Sequence, residues 1–110
     1  MKLLLVDDER YVIESIKKNI CWERTGITEI YTAFTMKQAQ EIITAVKMDI
    51  IISDIVMPAA TGFDLVQWVR EQNFSAEMDL SLIPIIILKP PHTIPNTDMF
   101  SIVRNVLSIL

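Results

Sequence analysis

Four charged side chains stand directly after apolar runs of this chain, and together they could hold a metal ion and a phosphoryl group. Asp7 and Asp8 follow the run LLLV, and Asp54 follows the run IIIS. Lys89 follows a third run, PIIIL. Mg²⁺ prefers carboxylate and phosphate oxygens as ligands, and an ammonium group pairs with phosphoryl oxygens. These residue types therefore offer the chemistry of metal-assisted phosphoryl transfer.

The pattern of apolar residues predicts the fold that would bring these side chains together. Short apolar runs predict buried parallel strands. The predicted strands cover residues 2–6, 29–33, 49–53 and 83–88. Apolar residues at helical spacing predict helices over residues 11–20, 36–46 and 61–71 and from residue 98 onward. Alternating strands and helices predict an α/β fold, a doubly wound parallel sheet that binds ligands beyond the carboxyl ends of its strands.

Length and composition limit the class of protein. The chain has 110 residues, 51% of them hydrophobic, which predicts one folded domain over residues 1–110 and no output or DNA-binding domain. A net charge of −4 argues against nucleic-acid binding. No stretch has the length of a membrane span or the pattern of a signal peptide, so we expect a cytoplasmic protein without membrane contact. Cys21, the single cysteine, is expected to be a buried or half-buried structural thiol.

Three segments together resemble a known family. LLVDDE, IISDIVMP with Gly62 after it, and LKP are similar to the receiver domain of two-component response regulators, the CheY-like superfamily, which has a flavodoxin-like fold of three αβα layers. The segment ICWERTGI at residues 20–27 resembles YesN-type regulators, whose receiver precedes an AraC-type DNA-binding domain. The resemblance implies phosphorelay signal transduction that regulates transcription through a C-terminal domain.

The resemblance also implies a role for each candidate residue. Asp54 would be the phosphoacceptor, which takes a phosphoryl group from a phosphohistidine on a sensor histidine kinase. Asp8 and Asp54 would bind Mg²⁺ directly, with Asp7 next to the metal shell and the backbone carbonyl of Val56 as a further ligand. Lys89 would contact the phosphoryl oxygens. The chain would be a phosphoprotein rather than an enzyme, since it would catalyse only its own phosphotransfer and autodephosphorylation.

The interval between Asp54 and Lys89 departs from the family. It is 35 residues long, whereas helix, strand, helix and strand with their connections need roughly 44 to 50. We therefore expect four strands instead of five. In the favoured alignment, residues 83–88 are the fifth strand, and the fourth strand and most of the fourth helix are missing. In the other alignment, they are the fourth strand, and Lys89 stands where the family has a switch Thr or Ser.

Three functions remain open on the sequence. The first is the phosphoacceptor receiver. The second is a degenerate receiver that works as a protein interaction or dimerisation module without a phosphorylation switch, and a truncated sheet could exchange strands in a homodimer. The third is a Mg²⁺-dependent phosphohydrolase, which usually needs a further acid/base carboxylate that Ile55 and Val56 do not offer. For Asp7 and Asp8, the alternative is simple capping of the first helix.

Overall fold

The computed structural model describes residues 1–57, 60–72 and 83–88, which form a parallel sheet with helices on both faces. The predicted last helix and the Lys89-Pro90 pair lie outside these residues. The elements in chain order are β1 (Lys2–Val6), α1 (Arg10–Asn19), β2 (Glu29–Ala33), α2 (Met36–Ala45), β3 (Ile50–Asp54), β4 (Val56–Met57), β5 (Ala60–Thr61), α3 (Gly62–Glu71) and β6 (Ile85–Leu88). A short 3-10 helix, Trp22–Arg24, follows α1.

The main sheet of the described residues has four parallel strands in the order β2-β1-β3-β6. The predicted α/β fold with a parallel sheet is confirmed, and four strands of that sheet lie within the described residues. β1 and β3 are the two inner strands, and their register places Val6 beside Ser53. β6 pairs directly with β3, with Leu88 in register with Asp54. The carboxyl ends of β1, β3 and β6 therefore lie side by side at one edge of the sheet.

Two apolar layers hold the helices against the sheet, because successive side chains of a strand point to opposite faces. The layer under α1 contains Leu3, Leu5, Val12, Ile13, Ile16, Ile20, Ile27, Ile50 and Ile52. The layer under α2 and α3 contains Leu4, Val6, Ala33, Ala39, Ile43, Met48, Ile51, Leu65, Val69 and Ile83. The same alternation directs Asp7 and Asp54 to the face that α1 covers, and Ser53 to the opposite face.

Side-chain caps fix where α2 and α3 begin. The Thr35 hydroxyl accepts a hydrogen bond from the Gln38 N–H at 3.1 Å, as the sequence predicts. At α3, Thr61 and Asp64 form a capping box, in which each side chain accepts from the backbone N–H of the other residue. These bonds satisfy N–H groups that a helix start leaves without partners. The capping box therefore fixes the start of α3 at Gly62, eight residues beyond the end of β3.

The structure corrects three expectations. α1 has Glu9 as its N-cap residue and no side-chain cap, so the capping alternative for Asp7 and Asp8 is wrong. β3 extends through Asp54 rather than ending at Ser53, because β6 continues to pair with it there. Cys21 is exposed, since it precedes the short 3-10 helix on the surface instead of packing under α1.

The connection after Asp54 also differs from a simple turn. Val56–Met57 and Ala60–Thr61 pair as two short antiparallel strands, with Val56 opposite Thr61.

In the described part of the chain, no helix has the length and apolar character to cross a membrane.

Candidate functional site

Three carboxyl groups meet at the carboxyl edge of the sheet. Asp7 and Asp8 follow β1, and Asp54 is the last residue of β3. One oxygen atom of each carboxyl group lies within 4.8 Å of those of the other two. The structure thus brings together the three acidic residues that the sequence singled out, and it does so because β1 and β3 are neighbours in the sheet.

The three carboxyl groups differ in their access to water. Asp7 is 6% exposed and Asp54 is 8% exposed, whereas Asp8 is open to solvent. The pKa of Asp7 is raised to about 7, chiefly by burial and in addition by the charges of Asp54 and Asp8, against a hydrogen bond from the backbone of Glu9 that lowers it. Crowded carboxylates repel each other, and the charged form of a buried group loses hydration. The site therefore carries negative charge that a cation would stabilise.

Backbone hydrogen bonds hold Asp7 in place. Its N–H donates to the carbonyl of Ala33 at 3.0 Å, which ties the end of β1 to the end of β2. Its Oδ1 accepts from the N–H of Glu9 at 2.9 Å, which forms a local turn that leads into α1. Asp7 is thus fixed from both sides at the point where the strand becomes a helix.

A fourth polar group of this edge, Ser53, was not identified as a site residue from the sequence. Ser53 is fully buried, and its hydroxyl donates to the backbone carbonyl of Asp54 at 3.0 Å. The available signal was a single hydroxyl residue within the buried apolar run before Asp54. The partner of that hydroxyl depends on how the chain turns after β3, which the run itself does not specify.

An arginine and an aromatic ring lie beside the acidic edge. Arg10, the first residue of α1, places its guanidinium 4.5 Å from the centre of the Phe34 ring, which follows β2. Tyr11 is 66% exposed, and its hydrogen bond to Glu9 raises its pKa. The stacking places a positive charge at the β2 side of the site through a cation–π contact.

Of the other two predicted site residues, Val56 lies within the described part of the chain and Lys89 does not. Val56 begins β4, two residues after Asp54, and its backbone pairs with that of Thr61. Lys89 lies outside the described residues. The residue before it in the sequence, Leu88, ends β6 in register with Asp54.

The donor set fits a hard divalent cation. Mg²⁺ binds through one or two carboxylates and keeps several waters, and it takes phosphate oxygens as further ligands. Asp7, Asp8 and Asp54 supply carboxylate oxygens only, with no thiol or imidazole in the cluster. A divalent cation among them would also offset the repulsion that adds to burial in raising the pKa of Asp7.

Comparison with known proteins places these features in a family. The profile of the response regulator receiver domain matches residues 3–93. The transcriptional regulatory protein HptR of Staphylococcus aureus is 33% identical over 82 residues, which are 74% of this chain and 30% of HptR. The chain spans less than a third of the length of the curated relatives that it matches.

Solved structures share the fold. A two-component transcriptional regulator AraC from Clostridium phytofermentans superposes with a TM-score of 0.74 at 20% identity, over 99% of this chain and 91% of that one. The chemotaxis response regulator CheY4 of Vibrio cholerae gives 0.73 at 22% identity, over 99% and 98% of the two chains. With the acidic cluster at the carboxyl edge and the match over residues 3–93, the conclusion is that this chain belongs to the response regulator receiver domain family.

Proposed function

We propose that this domain accepts a phosphoryl group on Asp54 from a phosphohistidine of a sensor histidine kinase, in a reaction that requires Mg²⁺. The observation that carries the proposal is the cluster of Asp7, Asp8 and Asp54, with their oxygens within 4.8 Å at the carboxyl edge of the sheet. Asp54 stands at the carboxyl end of an inner strand and is 8% exposed there.

The transfer is a nucleophilic displacement at phosphorus. A carboxylate oxygen of Asp54 forms the new P–O bond while the P–N bond to the histidine breaks, and the imidazole leaves with the electron pair and takes a proton from solvent. Bound Mg²⁺ would neutralise charge on the phosphoryl oxygens. Asp8 and Asp54 would hold the cation directly, Asp7 would support its hydration shell, and the carbonyl of Val56 would be a further ligand.

Lys89 would contact the phosphoryl oxygens as a positive point charge. The support is the register of β6, because Leu88 pairs with Asp54 and Lys89 is the next residue of the sequence. The name of HptR as a transcriptional regulatory protein supports a further proposal, that the phosphoryl group on this domain regulates transcription through another domain.

We propose that the phosphoryl transfer takes place in the cytoplasm, in line with the exposed free thiol of Cys21.

Intact mass after incubation with a small acyl phosphate tests the phosphoacceptor role. We expect the wild type to gain one phosphoryl group only when Mg²⁺ is present, and Asp54→Asn to gain none, because an amide cannot act as the nucleophile. Asp49→Asn is the matched control. Asp49 lies just before β3, at the opposite edge of the sheet, where its carboxylate accepts from the N–H of Lys2 at 2.7 Å.

Two results would contradict the proposal. A phosphoryl group on Asp54→Asn would move the acceptor to another residue, and uptake by the wild type without Mg²⁺ would remove the role of the acidic cluster. Asp49→Asn should behave as the wild type does. A loss of uptake in that variant would show that folding, rather than the site, had been tested.

A second candidate is an interaction or dimerisation module that works without phosphorylation. The four-stranded sheet of the described residues and the short interval of 35 residues between Asp54 and Lys89 favour it. It predicts that a folded wild type takes up no phosphoryl group, or that uptake leaves the mass in solution unchanged at micromolar concentration. Sedimentation velocity before and after the acyl phosphate reaction distinguishes this candidate from a phosphorylation-switched domain.

A further inference from the structure

Ser53 is a fully buried hydroxyl residue to which the proposed reaction, as described above, assigns no role. It follows Ile51 and Ile52 in β3, and its side chain lies on the face that α2 and α3 cover. Its neighbour in the register of β1 is Val6, a member of the same apolar layer. A hydroxyl in such a layer needs a hydrogen-bond partner, because its desolvation is otherwise not compensated. Its partner is the backbone carbonyl of Asp54, at 3.0 Å.

This hydrogen bond lies where the strand becomes the connection to α3. The carbonyl of Asp54 and the N–H of Ile55 belong to one planar peptide group, so a bond to the carbonyl fixes the orientation of both. The next carbonyl, that of Ile55, accepts from the N–H of Gly62 at 3.0 Å. Val56 then pairs with Thr61. The Ser53 hydroxyl is therefore the first of a series of bonds that set the path of the chain after Asp54.

We propose that Ser53 is a positioning residue for phosphoryl transfer, which fixes the Asp54–Ile55 peptide so that the Asp54 carboxylate and the turn that carries Val56 keep their productive orientation. This role rests on the proposed phosphoacceptor function of Asp54. Ser53 would touch neither a bound metal ion nor the phosphoryl group, because its side chain is on the other face of the sheet. It acts through the backbone, and its effect is on the geometry of the nucleophile.

Three variants distinguish a positioning role of Ser53 in phosphoryl transfer from a general effect of Ser53 on protein stability. Ser53→Ala removes the hydroxyl, and Ser53→Thr keeps it. Ile51→Val is the matched control, because Ile51 is fully buried on the same strand and face but is remote from the Asp54 carbonyl. Each protein is assayed for maximal phosphorylation rate and half-saturating donor concentration at saturating Mg²⁺, with an acyl phosphate as donor and intact mass as readout.

We expect Ser53→Ala to lower the maximal rate about 10-fold, since small misplacements of a reacting group have large effects on rate. The half-saturating donor concentration should stay within about twofold, because donor contacts are unchanged. Ser53→Thr should restore most of the rate. Ile51→Val should keep the wild-type rate although its core is less well packed.

A second readout uses the metal-free protein and requires no activity. The Gly62 amide donates to the Ile55 carbonyl, so its hydrogen exchange reports whether the peptide after Asp54 is held. We expect Ser53→Ala to exchange this amide about 10-fold faster, relative to amides of β1, and Ser53→Thr to exchange it as the wild type does.

The outcomes are distinct. A wild-type maximal rate in Ser53→Ala, or a Ser53→Thr variant as slow as Ser53→Ala, overturns the positioning role and leaves the phosphoacceptor function intact. Unchanged Gly62 exchange in Ser53→Ala also overturns it. A folded wild type that takes up no phosphoryl group overturns the proposed function, and the role of Ser53 in it falls at the same time.

Discussion

At the scale of single residues, Asp7 shows how the burial and crowding of a carboxyl group affect the stability of the domain. Its pKa is raised to about 7 by burial and by the charges of Asp54 and Asp8, whereas an aspartate in an unfolded chain has a pKa of about 3.9. Between these two values the folded protein keeps a proton that the unfolded chain has lost. Because the folded state binds this proton more tightly than the unfolded chain does, Asp7 contributes to the free energy of unfolding at low pH. This contribution is lost as the pH rises.

We expect the metal-free protein to lose this contribution between about pH 4 and pH 7, with at most roughly 4 kcal/mol involved and no further loss above that range. Mg²⁺ should reverse part of the loss, because a cation beside the carboxylates stabilises their charged forms. Asp7→Asn should be more stable than the wild type at pH 8 without metal. Urea unfolding at pH 5 and pH 8, with and without Mg²⁺, measures each difference.

The control for this pH dependence is Glu41→Gln, which removes a carboxylate from the exposed surface of α2. It should follow the wild type at both pH values. If the stability difference between wild type and Asp7→Asn were the same at pH 5 and pH 8, the raised pKa of Asp7 would be wrong.

At the scale of elements, the sequence predicted most accurately the strand limits that a local pattern of residues determines. β1 and β2 have the predicted limits, because a compact apolar segment defines β1 and an alternating segment defines β2. The end of β3 at Asp54 depends on pairing with β6, which is more than thirty residues away in the sequence. The partner of the Ser53 hydroxyl and the exposure of Cys21 depend likewise on tertiary packing, so no local pattern contains them.

The acidic site was likewise predictable only in part. Asp7, Asp8 and Asp54 could be grouped from the sequence alone, because the strands that they follow end at one edge of a parallel sheet. What the sequence could not supply was the unequal burial of the three carboxyl groups, because this depends on how closely α1 packs over β1 and β3. That burial is the main cause of the raised pKa of Asp7.

The capping box of α3 gives a prediction at this scale. Thr61→Ala should lower the free energy of unfolding by about 1 kcal/mol, because the N–H of Asp64 loses its acceptor at the helix start. Thr61→Ser should keep most of the stability, since the hydroxyl remains. Urea unfolding of the three proteins at one pH measures the difference.

Thr44→Ala serves as the control for Thr61→Ala. Thr44 is exposed in α2, and its hydroxyl donates to the carbonyls of Gln40 and Glu41 rather than accepting from an N–H at a helix start. Its removal should leave stability within about 0.5 kcal/mol of the wild type. Equal losses in Thr44→Ala and Thr61→Ala would contradict the capping explanation.

At the scale of the whole molecule, stability depends on the two inner strands. Leu4 in β1 is fully buried in the layer under α2 and α3. Leu4→Ala should cost roughly 2 to 5 kcal/mol, since it removes buried methyl groups and leaves a cavity. Domains of this size have a total stability of about 5 to 15 kcal/mol. The variant should therefore unfold at a much lower urea concentration than the wild type.

Ile30→Ala provides the comparison for Leu4→Ala. Ile30 is only partly buried, in the outer strand β2, where it packs against the layer under α1. Its truncation should cost less than that of Leu4, because less apolar surface returns to water. The reverse order of the two losses would show that the layer under α1, rather than the opposite layer, dominates stability.

The strand order also determines when the chain can fold during synthesis. β1 is made first, but its two partners, β2 and β3, end at Ala33 and Asp54. One edge of β1 is therefore without its native partner until Ala33 has been made, and the other edge until Asp54 has been made. During that interval the segment LLLV is open to pairing with other chains. Lys2 on one side and Asp7-Asp8 on the other flank that segment with charge, so we expect the carboxylates of the site also to disfavour aggregation of the nascent chain.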